Sequence, residues 1–116
     1  MIEHFKKNSK TSALFGTDSF WEGVDIPGKD LETLIVYKFP FAVPTDPVFK
    51  ARSRLYRDSF AEYSLPAMIL KLRQGLGRLI RTKNDRGIIV LLDARINSNW
   101  GERVKTGFPE GIKIRT

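Results

Sequence analysis

Apolar residues fall in short blocks along this chain, and turn-forming residues separate the blocks. Residues 1–8 carry a short amphipathic pattern through Ile2 and Phe5, broken by Asn8-Ser9-Lys10. Ser12–Phe15 is short, apolar and bounded by Gly16, which predicts a strand. Asp18 can cap a single helical turn from Ser19 to Glu22 that Gly23 ends. Leu34–Phe39 is almost continuously apolar and predicts a second strand, of the kind buried in a parallel sheet covered on both faces. A stretch with Pro40, Pro44 and Pro47 follows. Asp46-Pro47 is a helix start, with Asp as N-cap and Pro in the first turn. That helix is expected to run to about Tyr63, with Val48, Ala51, Leu55 and Phe60 on its apolar side. Ser64-Leu65-Pro66 starts another helix by the same logic, ending near Arg81. Asn84–Gly87 is a turn, Gly87–Asp93 the clearest strand, and Asn97–Lys105 a final helical segment.

Strands alternating with helices predict an α/β domain with a small, mostly parallel sheet flanked by helices. Three strands are few for a free-standing domain of this kind, so the chain is expected to be truncated on its N-terminal side. The expected division is residues 1–11 as the end of a preceding helix and its turn, 12–106 as the core, and 107–116 as a tail.

Charge narrows the partners. Lys and Arg total 20 against 13 Asp and Glu, a net charge of +7 over 116 residues. That balance suits a polyanion such as nucleic acid, nucleotide phosphates or an anionic membrane, and equally suits a domain that is merely basic. There is no cysteine and one histidine, His4, which excludes disulfides, thiolate chemistry and Cys- or multi-His metal sites in this chain. The longest apolar run, Ile88–Leu92, is far short of the roughly 20 residues that span a bilayer, so no membrane partner is expected.

The predicted helix from Pro66 to Arg81 carries the candidate chemistry. Ile69, Leu72, Leu76 and Leu79 form one stripe, suited to packing on a sheet. Lys71, Gln74, Arg78 and Arg81 recur at the same steps on the other side. Two guanidinium groups one turn apart, preceded by an amide, form a set of donors that fits phosphate oxygens. Gly75 and Gly77 each cost about 1 kcal/mol against Ala in an exposed helix interior, which points to a close backbone approach there. The same charges also describe an ordinary solvated helix face.

At this point the residues match a family. Gln74-Gly75-Leu76-Gly77-Arg78-Leu79-Ile80-Arg81 resembles motif VI of superfamily 2 helicases, Q-x-x-G-R-x-x-R. The run from Gly16 through Thr17, Asp18, Ser19, Phe20, Trp21, Glu22, Gly23, Val24, Asp25, Ile26 and Pro27 to Gly28 resembles motif V of the branch that includes bacterial DinG proteins and XPD. Phe39-Pro40-Phe41, Pro44-Thr45-Asp46-Pro47, Leu65-Pro66-Ala67, and Arg86-Gly87 with Asp93-Ala94-Arg95-Ile96 are similar to the flanking segments of that branch. The likeness runs from about Ser12 to Pro109.

The resemblance implies a partial RecA-like lobe, the C-terminal part of the second motor lobe of an ATP-dependent DNA helicase, cytoplasmic and acting at the nucleoid. ATP with Mg2+ would be shared with a first RecA-like lobe, which carries Walker A and B. No G-x-x-x-x-G-K-[ST] occurs here, so the chain alone is expected to be inactive. Any iron–sulfur cluster of the family would belong to that first lobe as well. By resemblance, Arg78 and Arg81 reach the γ-phosphate, with Gln74 supporting the nucleotide or its attacking water. Gly23 and Asp25 lie by the nucleotide, with Glu22 near the cleft. Thr17, Asp18 and Ser19 meet a phosphate of single-stranded DNA.

Several readings stay open on the sequence. Asp25 also suits a turn cap before Pro27, and Phe20 and Trp21 suit core packing as well as base stacking. Lys38, Lys50, Arg52, Arg54 and Arg57 either extend a phosphate-binding surface or form a solvated face. A stand-alone basic nucleic-acid-binding module would bind single strands tightly without another lobe. A regulatory descendant of a helicase would come from a protein without Walker A.

Overall fold

The computed structural model describes residues 3, 7–8, 13–16, 32–77, 80, 84 and 86–115. Strands β1 (Thr33–Val36) and β2 (Ile88–Leu91) pair in parallel, with Thr33 opposite Ile88 and Val36 opposite Leu91. Between them lie helix α1 (Pro47–Ser53), a π-helical turn (Phe60–Ser64) and helix α2 (Leu65–Leu76). After β2 come a 3-10 turn (Ala94–Asn97) and helix α3 (Gly101–Lys105). This is the expected α/β arrangement, a small parallel sheet with helices, as in part of a RecA-like lobe.

The core lies on one side of the sheet. Val36, Phe39, Leu65, Met68, Leu72, Leu76 and Val104 are buried, with Leu34, Ile89 and Leu91 of the strands packed against them. The side of α2 that faces the strands therefore starts earlier than the predicted stripe. Leu65 and Met68 join Leu72 and Leu76, while Ile69 is only partly buried and Leu79 lies outside the described residues.

The structure departs from several sequence expectations. Leu34–Phe39 was expected to be covered on both faces, but Ile35 is 60% and Ile88 63% exposed, so the described residues cover one face. Described residues 13–16 form no strand, and Phe15 is exposed. The turn expected over Ser19–Glu22 lies outside the described residues, as do Ile2 and Phe5, although Glu3 and Lys7 are helical.

The long helix expected from Pro47 to Tyr63 breaks after Ser53. Asp46 caps it as predicted, accepting from Phe49 N–H at 2.9 Å. No residue of α1 is buried, and Leu55 is 81% exposed, so nothing apolar rewards extending it. A second start lies at Asp58, whose carboxylate accepts from Ala61 N–H at 3.1 Å while Glu62 reaches back to Asp58 N–H at 3.0 Å. This reciprocal pair works like a capping box. Helical structure then runs from Ser59 into α2, and Ser64 makes no capping bond of its own. The π turn has a local cause. Pro66 has no N–H to give and its ring crowds the carbonyl four residues back. The ladder shifts just before it, Leu65 N–H donating to Phe60 O.

The last expected helix, Asn97–Lys105, divides in two. Ser98 ends the 3-10 turn and donates its hydroxyl to Arg95 O at 2.6 Å. Gly101 is buried against the Ile96 carbonyl, and this close approach lets α3 fold back.

Candidate functional site

Helix α2 presents one side to the core and the other to solvent. Its buried residues are Leu65, Met68, Leu72, Gly75 and Leu76. Gln74 and Arg73 are exposed and Lys71 is half-buried. Gly75 is buried within this chain, whereas Gly77 is only partly buried. The hydrogen-bond ladder passes Gly77, since Gly77 N–H donates to Arg73 O at 3.0 Å and Ile80 N–H to Leu76 O at 3.2 Å. Gln74 thus stands on the solvent side near the C-terminal end of the helix. Its side-chain amide offers both a donor and an acceptor to whatever approaches. The other candidate residues, Arg78, Arg81, Thr17, Asp18, Ser19, Gly23 and Asp25, lie outside the described residues, as do Phe20, Trp21 and Glu22.

Sequence reasoning did not single out the most tightly organised polar group. Asp93 follows β2 and is 8% exposed. Its carboxylate accepts from Phe39 N–H at 2.8 Å, from Arg95 N–H at 3.1 Å and from the Arg95 guanidinium, Nε lying 2.9 Å from Oδ1. These bonds tie the segment after β2 to the segment after β1. Because the strands are parallel, both segments leave the same edge of the sheet, the edge where α/β folds place their ligands. Hydrogen bonding from Arg95 holds the Asp93 carboxyl down, from 3.8 to about 2, against the opposing effect of burial. The same pairing raises Arg95. Asp93 therefore stays ionised at neutral pH with its acceptors occupied, which suits a clamp and not a proton carrier. Arg95 also lies over the rings of Phe39 at 6.0 Å and Phe41 at 5.1 Å. Phe39, Phe41 and Phe60 all contact Trp100, at centroid distances of 5.6–6.1 Å. The available signal was D-x-R placed immediately after an apolar strand.

Lys38, Lys50, Arg52, Arg54 and Arg57 are all exposed. None of the last four is in an ion pair among the described residues. No helix among the described residues is long and apolar enough to cross a membrane.

Comparison with known proteins agrees with the motif pattern. The family of helicase C-terminal domains matches residues 1–113. The ATP-dependent DNA helicase YoaA of Haemophilus influenzae is 38% identical over 120 residues, covering 99% of this chain and 19% of that protein. The 3'-5' exonuclease DinG of Bacillus subtilis is 43% identical over 96 residues, covering 79% of this chain and 10% of that protein. The ATP-dependent DNA helicase DinG of Photobacterium profundum is 44% identical over 108 residues, covering 89% and 16%. The chain spans between 10% and 19% of the length of these relatives. On this evidence the chain belongs to the helicase C-terminal domain family, in the form carried by DinG- and YoaA-type proteins.

Proposed function

We propose that this chain is the C-terminal part of the second motor lobe of an ATP-dependent DNA helicase, and that it supplies arginine fingers to an ATP site shared with a first RecA-like lobe. The observation that supports this most directly is the two-sided character of α2. Leu65, Met68, Leu72 and Leu76 are committed to the core, and Gln74 is left exposed on the other side, one turn after the exposed Leu70. In the sequence Arg78 and Arg81 follow Gln74 by about one and two helical turns, so the reading assigns all three to one nucleotide-facing side.

In this reading Gln74 supports the nucleotide or its attacking water, and Arg78 and Arg81 meet the γ-phosphate. Negative charge builds on the phosphoryl oxygens during transfer, and a positioned guanidinium stabilises it, which contributes roughly 10³–10⁵ in rate. Gly23 and Asp25 of the motif V segment line the nucleotide. Thr17, Asp18 and Ser19 offer hydroxyl and backbone N–H groups to a phosphate of single-stranded DNA. In this reading ATP with Mg2+ is shared with the first lobe, which carries the phosphate cradle, since no G-x-x-x-x-G-K-[ST] occurs in this chain. ATP draws the lobes together and hydrolysis parts them, which moves the protein along the strand. Such a protein would work in the cytoplasm, at the nucleoid.

The test is Arg81→Ala in the full-length protein, with ATP turnover and fluorescent-nucleotide binding measured side by side. Turnover is expected to fall by about a thousandfold or more while nucleotide binding is largely kept. Turnover at the wild-type rate removes Arg81 from the finger role.

A further inference from the structure

Phe49, Tyr56 and Tyr63 recur at steps of seven along the chain. In an unbroken helix, residues seven apart are about 10 Å apart along the axis and their rings cannot stack. Here the break after α1 folds the chain back. Phe49 and Tyr63 stack at 5.4 Å with 26° between planes, and Tyr56 and Tyr63 at 5.2 Å with 7°. Arg103 braces this arrangement from α3, its Nη2 donating to Ala61 O at 3.1 Å. Tyr56 ends the stack. It is 41% exposed, and Tyr63 is its one ring partner among the described residues.

The segment that leads into this open ring is rich in cations, and the nearest acids, Asp46, Asp58 and Glu62, are engaged in helix-capping bonds. From Pro47 to Arg57 the chain carries Lys50, Arg52, Arg54 and Arg57 and no acidic residue. All four are exposed, with no ion pair among the described residues. The ring and the cations have no role in the core, since Tyr56, Lys50, Arg52, Arg54 and Arg57 are all exposed.

We propose that Tyr56 is a stacking platform for a base of a single nucleic-acid strand, with Lys50, Arg52, Arg54 and Arg57 following its phosphates. A single strand is the occupant that uses both features at once. An unpaired base has a flat face to extend the ring stack, and its backbone brings a regular row of negative charge. A duplex offers the charge without the free faces, and an acidic peptide has no planar group at each step. The contact lies outside both helicase motifs. It rests on the reading that the protein works on a single strand and adds to that reading a second point of attachment.

The experiment uses the full-length protein without nucleotide, which keeps it independent of Arg78 and Arg81. Binding of an oligo-dT strand and of an abasic strand of equal length is followed by fluorescence anisotropy across a salt series. Tyr56→Leu is expected to weaken oligo-dT binding roughly 5- to 150-fold, the range for loss of one base–aromatic stack. It should leave abasic binding unchanged, and Tyr56→Phe should bind oligo-dT like the wild type. The paired variant Arg54→Gln with Arg57→Gln should weaken both strands and flatten the slope of log K against log salt by about 1.4. Equal oligo-dT affinity for Tyr56→Leu and wild type overturns the proposal, and so does an equal loss on both strands. A salt slope unchanged in the paired variant removes the phosphate track.

Discussion

Asp93→Asn tests whether the link between the two strand ends is as strong as its geometry implies. The substitution keeps the shape of the side chain and removes its charge and one of its two acceptor oxygens. Holding a carboxyl at about 2 instead of 3.8 is worth about 2.4 kcal/mol by linkage. The Arg95 side chain is 49% exposed, so solvent screens the pair and about 1.5 kcal/mol is a fairer figure. The amide of Asn can accept for one set of donors only. Arg95 can turn to water, but the Phe39 N–H is buried, and an unmatched donor there costs about 1–3 kcal/mol. The expected total is about 3 kcal/mol at pH 7, read as a lower urea midpoint at unchanged slope in the 116-residue chain. The pH dependence has a definite sign. The folded-state value is depressed, so the charge contribution is fully present above 3.8 and is lost as pH falls through about 2. Close to half of it should be gone by about pH 3 on those values, and the gap between wild type and variant should narrow accordingly. A gap under about 0.5 kcal/mol at pH 7, or one that does not narrow with acid, refutes the assignment of Asp93 as an ionised clamp.

Two further substitutions probe the local structure. In Gly101→Ala the new Cβ would stand 1.8 Å from the Ile96 carbonyl oxygen, a backbone atom that cannot swing aside. The expected loss is about 3 kcal/mol, at the top of the overpacking range, measured by thermal unfolding. Asp58→Ala removes the cap that restarts the helix and should cost about 1 kcal/mol in the same measurement, while Asp58→Asn should recover most of it.

The sequence pattern announced the parallel pairing of β1 and β2, because long β-branched runs separated by helices leave few other arrangements. It also announced the Asp46 cap, which depends on residues three apart. The breaks were harder to read. Val48, Ala51 and Leu55 match a helical period, but a period does not say whether a core exists on that side, and for α1 it does not. Gln74 was legible as a solvent-side residue from its helical spacing, whereas the predicted apolar stripe missed Met68 and overrated Ile69. The Asp93–Phe39 bond joins residues 54 apart in sequence, and no local rule brings a carboxylate to that N–H. The stack of Phe49, Tyr63 and Tyr56 was hidden for a related reason. Its spacing of seven reads as one face of a continuous helix, and only the turn after Ser53 makes contact possible.

The shifted ladder before Pro66 bears on which length changes this segment can absorb. A π turn holds one residue more than the α-helical path it replaces, and each helical residue rotates the chain by about 100°. Deleting a single residue between Phe60 and Ser64 would restore ordinary winding and swing Phe60 away from Trp100, though every side chain of α2 kept its own spacing. Natural variants of this domain should therefore accept substitutions within the turn far more readily than any change in its number of residues.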